Sequence, residues 1–267
     1  MAAGLILALL FFATSALAFD HGQWDSLLKK NVVVLEGGKA SQFRYAEVDR
    51  NALQAYLKTL SGVRETEFKG WPRDEQIAFL INAYNAFAVE KVLSRYPDLR
   101  SIRDFGRIFG NPFKDEFFTL LGRGMSLDGV EHGLLRKDYR EPRVHYAVNC
   151  ASVGCPMLRE EAYVADRLDA QLEEQARRFL SDRSRNRFDA RNGTLEVSKI
   201  FDWYKEDWRS GYRGLNGRTP AIGSREQYFA RYAKLLADDP AQQKLIEDEK
   251  ASLAFLDYDW TLNDAKH

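Results

Sequence analysis

Cysteine, histidine and proline are scarce in this chain. Its 267 residues include two Cys, four His and seven Pro. Two Cys cannot build a disulfide-rich scaffold. The low Pro count and the lack of any low-complexity tract exclude a collagen-like or Pro-rich disordered chain. Net charge is absent too, with 39 Lys+Arg against 39 Asp+Glu. That balance excludes a general nucleic-acid binder and a surface held to acidic lipid by charge. There is no internal repeat, no Gly-rich phosphate loop, no G-x-S-x-G elbow and no H-E-x-x-H pair, so those cofactor, hydrolase and metalloprotease signatures are missing. What is present is ordinary: hydrophobic residues are 45% and charged residues 29%. A chain of this size and composition buries a real core.

The first 18 residues carry no charge, and Leu5 to Phe12 form a short apolar run. Ala16-Leu17-Ala18 then has the A-x-A form of a leader cleavage site, leaving a mature start of Phe19-Asp20-His21-Gly22. The expectation is a signal peptide over 1–18, although no Lys or Arg precedes the run. The protein is then exported, periplasmic or secreted. No later stretch reaches the ~18 apolar residues of a membrane span. An oxidising compartment bears on the two Cys.

Periodicity predicts a helix over Val48 to Leu60, with Leu53, Tyr56, Leu57 and Leu60 on one face. Trp71-Pro72-Arg73-Asp74-Glu75 opens a second helix whose body, Ile77 to Tyr96, is apolar nearly all round and therefore central. Phe117–Leu121 and Met125–Leu127 around Gly122-Arg123-Gly124 read as a β-hairpin, and Asp128 to Lys137 as a short helix. Arg143 to Asn149 alternates like a strand. Asp166 to Leu180 reads as an amphipathic helix, Phe188 to Val197 as a second hairpin, and Lys199 to Trp208 as a short aromatic helix. Ser224 and Gln227 resemble a capping box. Together these predict one α+β domain over 19–267, richer in helix than in strand.

Chemistry concentrates in one segment. His132, His145, Cys150 and Cys155 fall within the 24 positions from 132 to 155, and Glu131 adjoins them. Three readings share these atoms. In the first, Cys150 is a thiolate nucleophile, His132 its base with His145 in reserve, and Glu131 or Asn82 the group that orients the imidazole. Strand parity sends His145 to the face opposite Cys150, which favours His132. In the second, Cys150 and Cys155 form a disulfide, as suits an exported protein; the C-x4-C spacing departs from the redox C-x-x-C. In the third, two imidazoles and two thiolates hold zinc, although the spacing matches no standard pattern. Without zinc no cofactor is expected. Glu131 also has a bland reading, as the fourth residue of an Asp128-x-x-Glu131 cap.

Asn82 and Asn85 share a face of the buried helix and either brace the core or support a site. Arg136 follows His132 by one helical turn and either binds a carboxylate or pairs with a surface acid. Trp203 and Tyr204, with Trp208, Lys199 and Asp202, either line a peptide or sugar groove or belong to the core.

Several of these segments resemble one family. Phe79 to Ala86 (FLINAYNA), Leu127 to Arg136 (LDGVEHGLLR), His145 to Pro156 (HYAVNCASVGCP), Ser198 to Tyr204 (SKIFDWY) and Tyr258-Asp259-Trp260 look like the motifs of the DUF547 family, in order, over about Trp24 to Asn263. The resemblance implies export, as for many bacterial members. Plant members keep a Cys like Cys150 while some lack one like Cys155, which implies a role for Cys150 beyond a bridge. The family is one of unknown function and supplies no catalytic residue. The leading expectation is a thiol-dependent acyl-transfer enzyme, a hydrolase or transglutaminase-like protein, acting on a peptide or amide of the cell envelope. The competing expectation is a non-catalytic peptide- or glycan-binding protein, and the third a zinc-binding one. None involves nucleic acid.

Overall fold

The computed structural model describes residues 18–106, 111–209, 215, 217 and 221–265. Apart from Ala18, the expected leader lies outside these, as does most of the 210–223 loop.

The chain opens with α1 (Gly22–Asn31), which leads into the antiparallel hairpin β1 (Val32–Leu35) and β2 (Ala40–Phe43). Helix α2 (Arg50–Gly62) starts where Asp49 accepts a hydrogen bond from the Ala52 N–H at 3.0 Å, an N-cap that satisfies an orphan donor of the first turn. It buries Leu53, Tyr56, Leu57 and Leu60, the face that the spacing predicts. After α3 (Glu65–Lys69), helix α4 (Arg73–Leu93) is the central element. Seventeen of its 21 residues are buried, so it packs against neighbours on every side rather than presenting one stripe. Asp74 and Glu75 in its first turn complement the helix dipole.

The hairpin β3 (Phe118–Leu120) and β4 (Arg123–Met125) turns at Leu121-Gly122, both at positive φ, the twist-matched two-residue turn of antiparallel ribbons. The Asp128–Lys137 expectation resolves into α5 (Leu127–Val130), which runs directly into a π-helix over Glu131–Tyr139. Ser126 caps it, accepting from the Gly129 N–H at 3.0 Å. Glu131 is therefore free of the capping role that its spacing suggested.

The strand expected over Arg143–Asn149 is corrected: Pro142–Tyr146 is a short 3-10 helix. Pro142 opens it, and Glu141 accepts from the Arg143 N–H at 3.0 Å, chemistry that favours a helical turn over an extended run. Helix α6 (Leu168–Leu180) then leads to a three-stranded sheet. In it β5 (Arg187–Asp189) pairs antiparallel with β6 (Thr194–Ser198), and β6 pairs in parallel with the late strand β7 (Ser252–Leu256). Between them lie α7 (Ile200–Trp203), α8 (Arg225–Arg231), α9 (Ala233–Leu236) and α10 (Pro240–Glu247). Ser224 caps α8 on the Gln227 N–H, but Gln227 Oε1 returns to the Gly223 N–H and not to Ser224. The fold is α+β with more helix than strand, as expected.

Two apolar clusters form the interior. The larger surrounds α4; the smaller gathers Phe179, Leu195, Val197, Phe201, Trp208, Tyr228 and Phe229. The 142–146 turn joins them, sending Val144 into the first and Tyr146 into the second. His145 lies between, at their seam.

Candidate functional site

A cleft of about 220 Å³ opens at this seam. Its lining brings together Glu131, His132, His145, Cys150, Cys155, Trp203 and Tyr204, with Tyr84, Asp128, Tyr258 and Trp260 beside them. The 3-10 turn makes this possible: the parity that set His145 opposite Cys150 holds only for a strand.

His145 is 4% exposed and sits between two carboxylates. Its Nε2 is 2.7 Å from Asp207 Oδ2, and its Nδ1 is 3.7 Å from Glu131 Oε1, too long for a hydrogen bond. Burial alone pushes the imidazole towards neutrality. The hydrogen bond and the two negative charges outweigh burial and raise its pKa above the usual 6.5. Asp207 is likewise opposed by burial, yet His145 and Arg136 hold its carboxyl well below the ordinary range. Glu131 follows the same balance and is lowered by His145, His132 and the Tyr204 hydroxyl. Two carboxylates held below their ordinary range therefore flank an imidazole whose charged form they favour. Tyr204 stacks on the His145 ring at 3.9 Å between centroids and 15° between planes, and the Arg136 guanidinium lies 4.8 Å from the centre of the Tyr204 ring.

Arg136 grips Asp207 with two hydrogen bonds, Nε to Oδ2 at 2.6 Å and a terminal nitrogen to Oδ1 at 2.9 Å. Its other terminal nitrogen is 2.7 Å from His132 Nδ1. A guanidinium only donates, so Nδ1 of His132 accepts and its proton resides on Nε2, 3.3 Å from Asp128 Oδ1. Of the two readings of Arg136, the structure shows pairing with an acid, Asp207, and a further bond to His132.

Cys150 and Cys155 are joined as a disulfide. Cys150 is partly exposed, Cys155 buried. The loop that carries them is tightly built. Ala151 has φ +62°, unusual for a residue with a Cβ, and Asn149 stabilises the bend by accepting from its N–H at 2.9 Å. Asn149 Nδ2 then donates to the Pro156 carbonyl at 2.8 Å and closes the loop. Gly154 is needed at its place, because a Cβ there would meet the Asp259 backbone at 2.9 Å. That close approach brings in the chain-terminal strap, whose Tyr258 and Trp260 form a wall of the cleft with Trp203.

Donors surround both sulfurs. The Cys150 N–H points at Cys155 Sγ at 3.0 Å, and the Tyr258 hydroxyl lies 3.1 Å from Cys155 Sγ and 3.3 Å from Cys150 Sγ. Ser152 Oγ lies 3.0 Å from Cys150 Sγ and donates to the Tyr258 hydroxyl at 3.2 Å. No hydrogen bond among the described residues joins Cys150 to either imidazole.

The two amides stay in the core. Asn82 bridges both backbone groups of Tyr163, and Asn85 ties the Ala147 carbonyl to the Asn149 N–H. Neither lines the cleft, but Asn85 fixes the segment between His145 and Cys150. Asp207 escaped the sequence reading. Its signal was an acid inside an aromatic run, Trp203-Tyr204 to Trp208. Among the described residues no group of three or more His, Cys, Asp or Glu is arranged to hold a metal ion, and the sulfurs that a zinc reading needs are bonded to each other.

Residues 68–180 match the family described as a protein of unknown function, DUF547. The match covers 113 of the chain's 267 residues. No curated protein and no solved structure matches the chain. The DUF547 match contains Glu131, His132, Arg136, His145 and both Cys. Tyr204, Tyr258 and Trp260 lie beyond it, as does Asp207, so most of the cleft lining comes from the matched segment and the aromatic wall from later chain.

Proposed function

We propose that this cleft is the reaction site of a thiol-dependent acyl-transfer enzyme, hydrolase or transglutaminase-like, with Cys150 as nucleophile once its bond to Cys155 has been opened. The observation that carries this reading is that the partly exposed Cys150 shares one cleft with Glu131, His132 and His145, the last of them held by Asp207. An imidazolium nearby favours a thiolate at neutral pH.

Opening requires a dithiol. Its thiolate attacks Cys150 Sγ, and Cys155 leaves as a thiolate. The Cys150 N–H and the Tyr258 hydroxyl receive that charge. The second thiol of the reductant then displaces Cys150 and carries away both electrons' worth of oxidation as its own disulfide. Freed of its tether, the Cys150 thiolate attacks a carbonyl and forms a thioester, and the departing amine takes a proton from an imidazole. Water or another amine then attacks the thioester, giving an acid or a new amide and returning the thiolate. A peptide or amide of the cell envelope fits the aromatic wall. Export agrees with a disulfide and with the lack, among the described residues, of any helix long and apolar enough to cross a membrane.

The test is the alkylation rate of Cys150 by a small electrophile, followed by mass spectrometry, with and without a dithiol. We expect labelling only after reduction, faster than a free cysteine at pH 7, and slowed by His145→Ala. A rate equal to that of free cysteine sinks the enzyme reading. The alternative is then a binding protein, favoured by the closed bridge beside Trp203, which is 44% exposed and packs with Tyr258 and Trp260.

A further inference from the structure

The backbone nitrogen of Phe19 donates to Glu75 Oε1 at 2.7 Å. Glu75 is 5% exposed and pairs with no Lys, Arg or His side chain among the described residues. A buried carboxylate without a cation is costly, so its single recorded hydrogen-bond donor calls for explanation. That donor is the atom that becomes an ammonium group if the chain is cut before Phe19.

The surroundings agree. Ala18 is exposed, and docking begins at the next residue. The Phe19 ring meets Phe79 edge-on at 5.0 Å and lies 5.9 Å from Trp71 and 4.9 Å from His21. Asp20 turns the chain by accepting from the Gly22 N–H at 2.8 Å and hands it to α1. Glu75 itself stands in the first turn of α4, where the helix dipole also favours a negative charge.

We propose that Glu75 is a built receptor for the α-ammonium group of Phe19, and that the chain is processed by hydrolysis of the Ala18–Phe19 bond. A leader-removing endopeptidase adds water across that peptide bond. Ala18 departs with the carboxylate, and Phe19 keeps the amine, which takes up a proton. The neutral N–H on Glu75 becomes a charged donor, a stronger bond in a buried setting. Processing then completes the fold: α4 gains its missing cation, and the Phe19 ring pins the new terminus over Trp71 and Phe79. This holds whatever reaction the cleft performs.

The experiment uses the full 267-residue chain, expressed with its own leader in an exporting bacterial host. Intact mass should place the first residue at Phe19. An amine-reactive ester at pH 7, with the modified terminus quantified by peptide mapping, should acylate the Phe19 α-amine about tenfold more slowly than in Glu75→Gln, the factor of a one-unit pKa difference. A chain that keeps its leader or starts elsewhere overturns the proposal, as do equal acylation rates. If Glu75→Gln fails to fold, a chain whose cut leaves one extra Ala before Phe19 serves instead. It should melt lower than the chain beginning at Phe19, and an unchanged melting temperature overturns the proposal.

Discussion

His145 Nε2 donates to Asp207 Oδ2 at 2.7 Å, across 62 positions of sequence. The direction follows from Asp207, whose lowered pKa leaves it charged and able only to accept. Replacing Asp207 with Asn keeps the shape and removes the charge that His145 and Arg136 share. Breaking a fully buried pair from one side costs about 3–5 kcal/mol. Asp207 retains some exposure and Asn keeps one hydrogen bond, so we predict a loss of about 2 kcal/mol, read by urea denaturation at pH 6. The His145 pKa, followed by NMR, should fall. An unchanged pKa would mean that the aspartate does not set the charge on the ring.

The same pair fixes a pH window. A raised His145 pKa means that its stabilising charge is fully present below its ordinary 6.5 and is lost as pH climbs through the higher folded value. A lowered Asp207 pKa means the reverse: its contribution is present above its ordinary 3.8 and disappears as pH falls through the lower folded value. We predict that the stability difference between the wild type and Asp207→Asn is greatest between these two ordinary values and shrinks on the alkaline side. A difference that grows from pH 7 to pH 9 would contradict the assignment.

How much of this was legible before the fold was known depends on range. Local chemistry read well: the Leu53-Tyr56-Leu57 face of α2, the Pro72-Asp74-Glu75 opening of α4, the turn near Gly122 and the hairpin within Phe188–Val197 all rest on near neighbours. The cleft is different. Its decisive partners come from chain positions far apart, Asp207 against His145 and Tyr258 against the Cys loop, and no spacing rule reaches that far. The parallel β6–β7 pairing is hidden for the same reason. The 143–149 error was local: period-two alternation over so short a run competes poorly with Pro142 and Glu141 at a helical start.

Cysteine variants separate the structural and chemical roles of the bridge. The bridge closes a loop with a sequence separation of 5, and restricting the unfolded chain over so short a loop is worth about 2 kcal/mol. We predict that Cys155→Ser and Cys150→Ser each lose about that much, by chemical denaturation against the oxidised wild type. They should differ in reactivity. Cys155→Ser exposes a Cys150 thiol that an electrophile labels without reductant, whereas the buried Cys155 in Cys150→Ser labels slowly. Equal labelling would remove the asymmetry on which Cys150 is chosen as nucleophile.

The second buried histidine answers pH with the opposite sign. His21 is 5% exposed, its Nδ1 lies 2.7 Å from the Tyr56 hydroxyl, and burial lowers its pKa to about 4 against a small opposing pull from Asp20. Unfolded, it takes up a proton below its ordinary 6.5; folded, it does so only near 4. Between those values the unfolded state holds more protons, so stability drops as pH falls. The shift corresponds to about 3 kcal/mol over the whole interval. His145 keeps its charge through that interval and does not offset the loss. We predict that His21→Gln is less stable than the wild type at pH 7 but loses much less on going to pH 4.5, measured as denaturation midpoints at the two pH values. Parallel loss in both proteins would assign the acid sensitivity to the carboxylates instead.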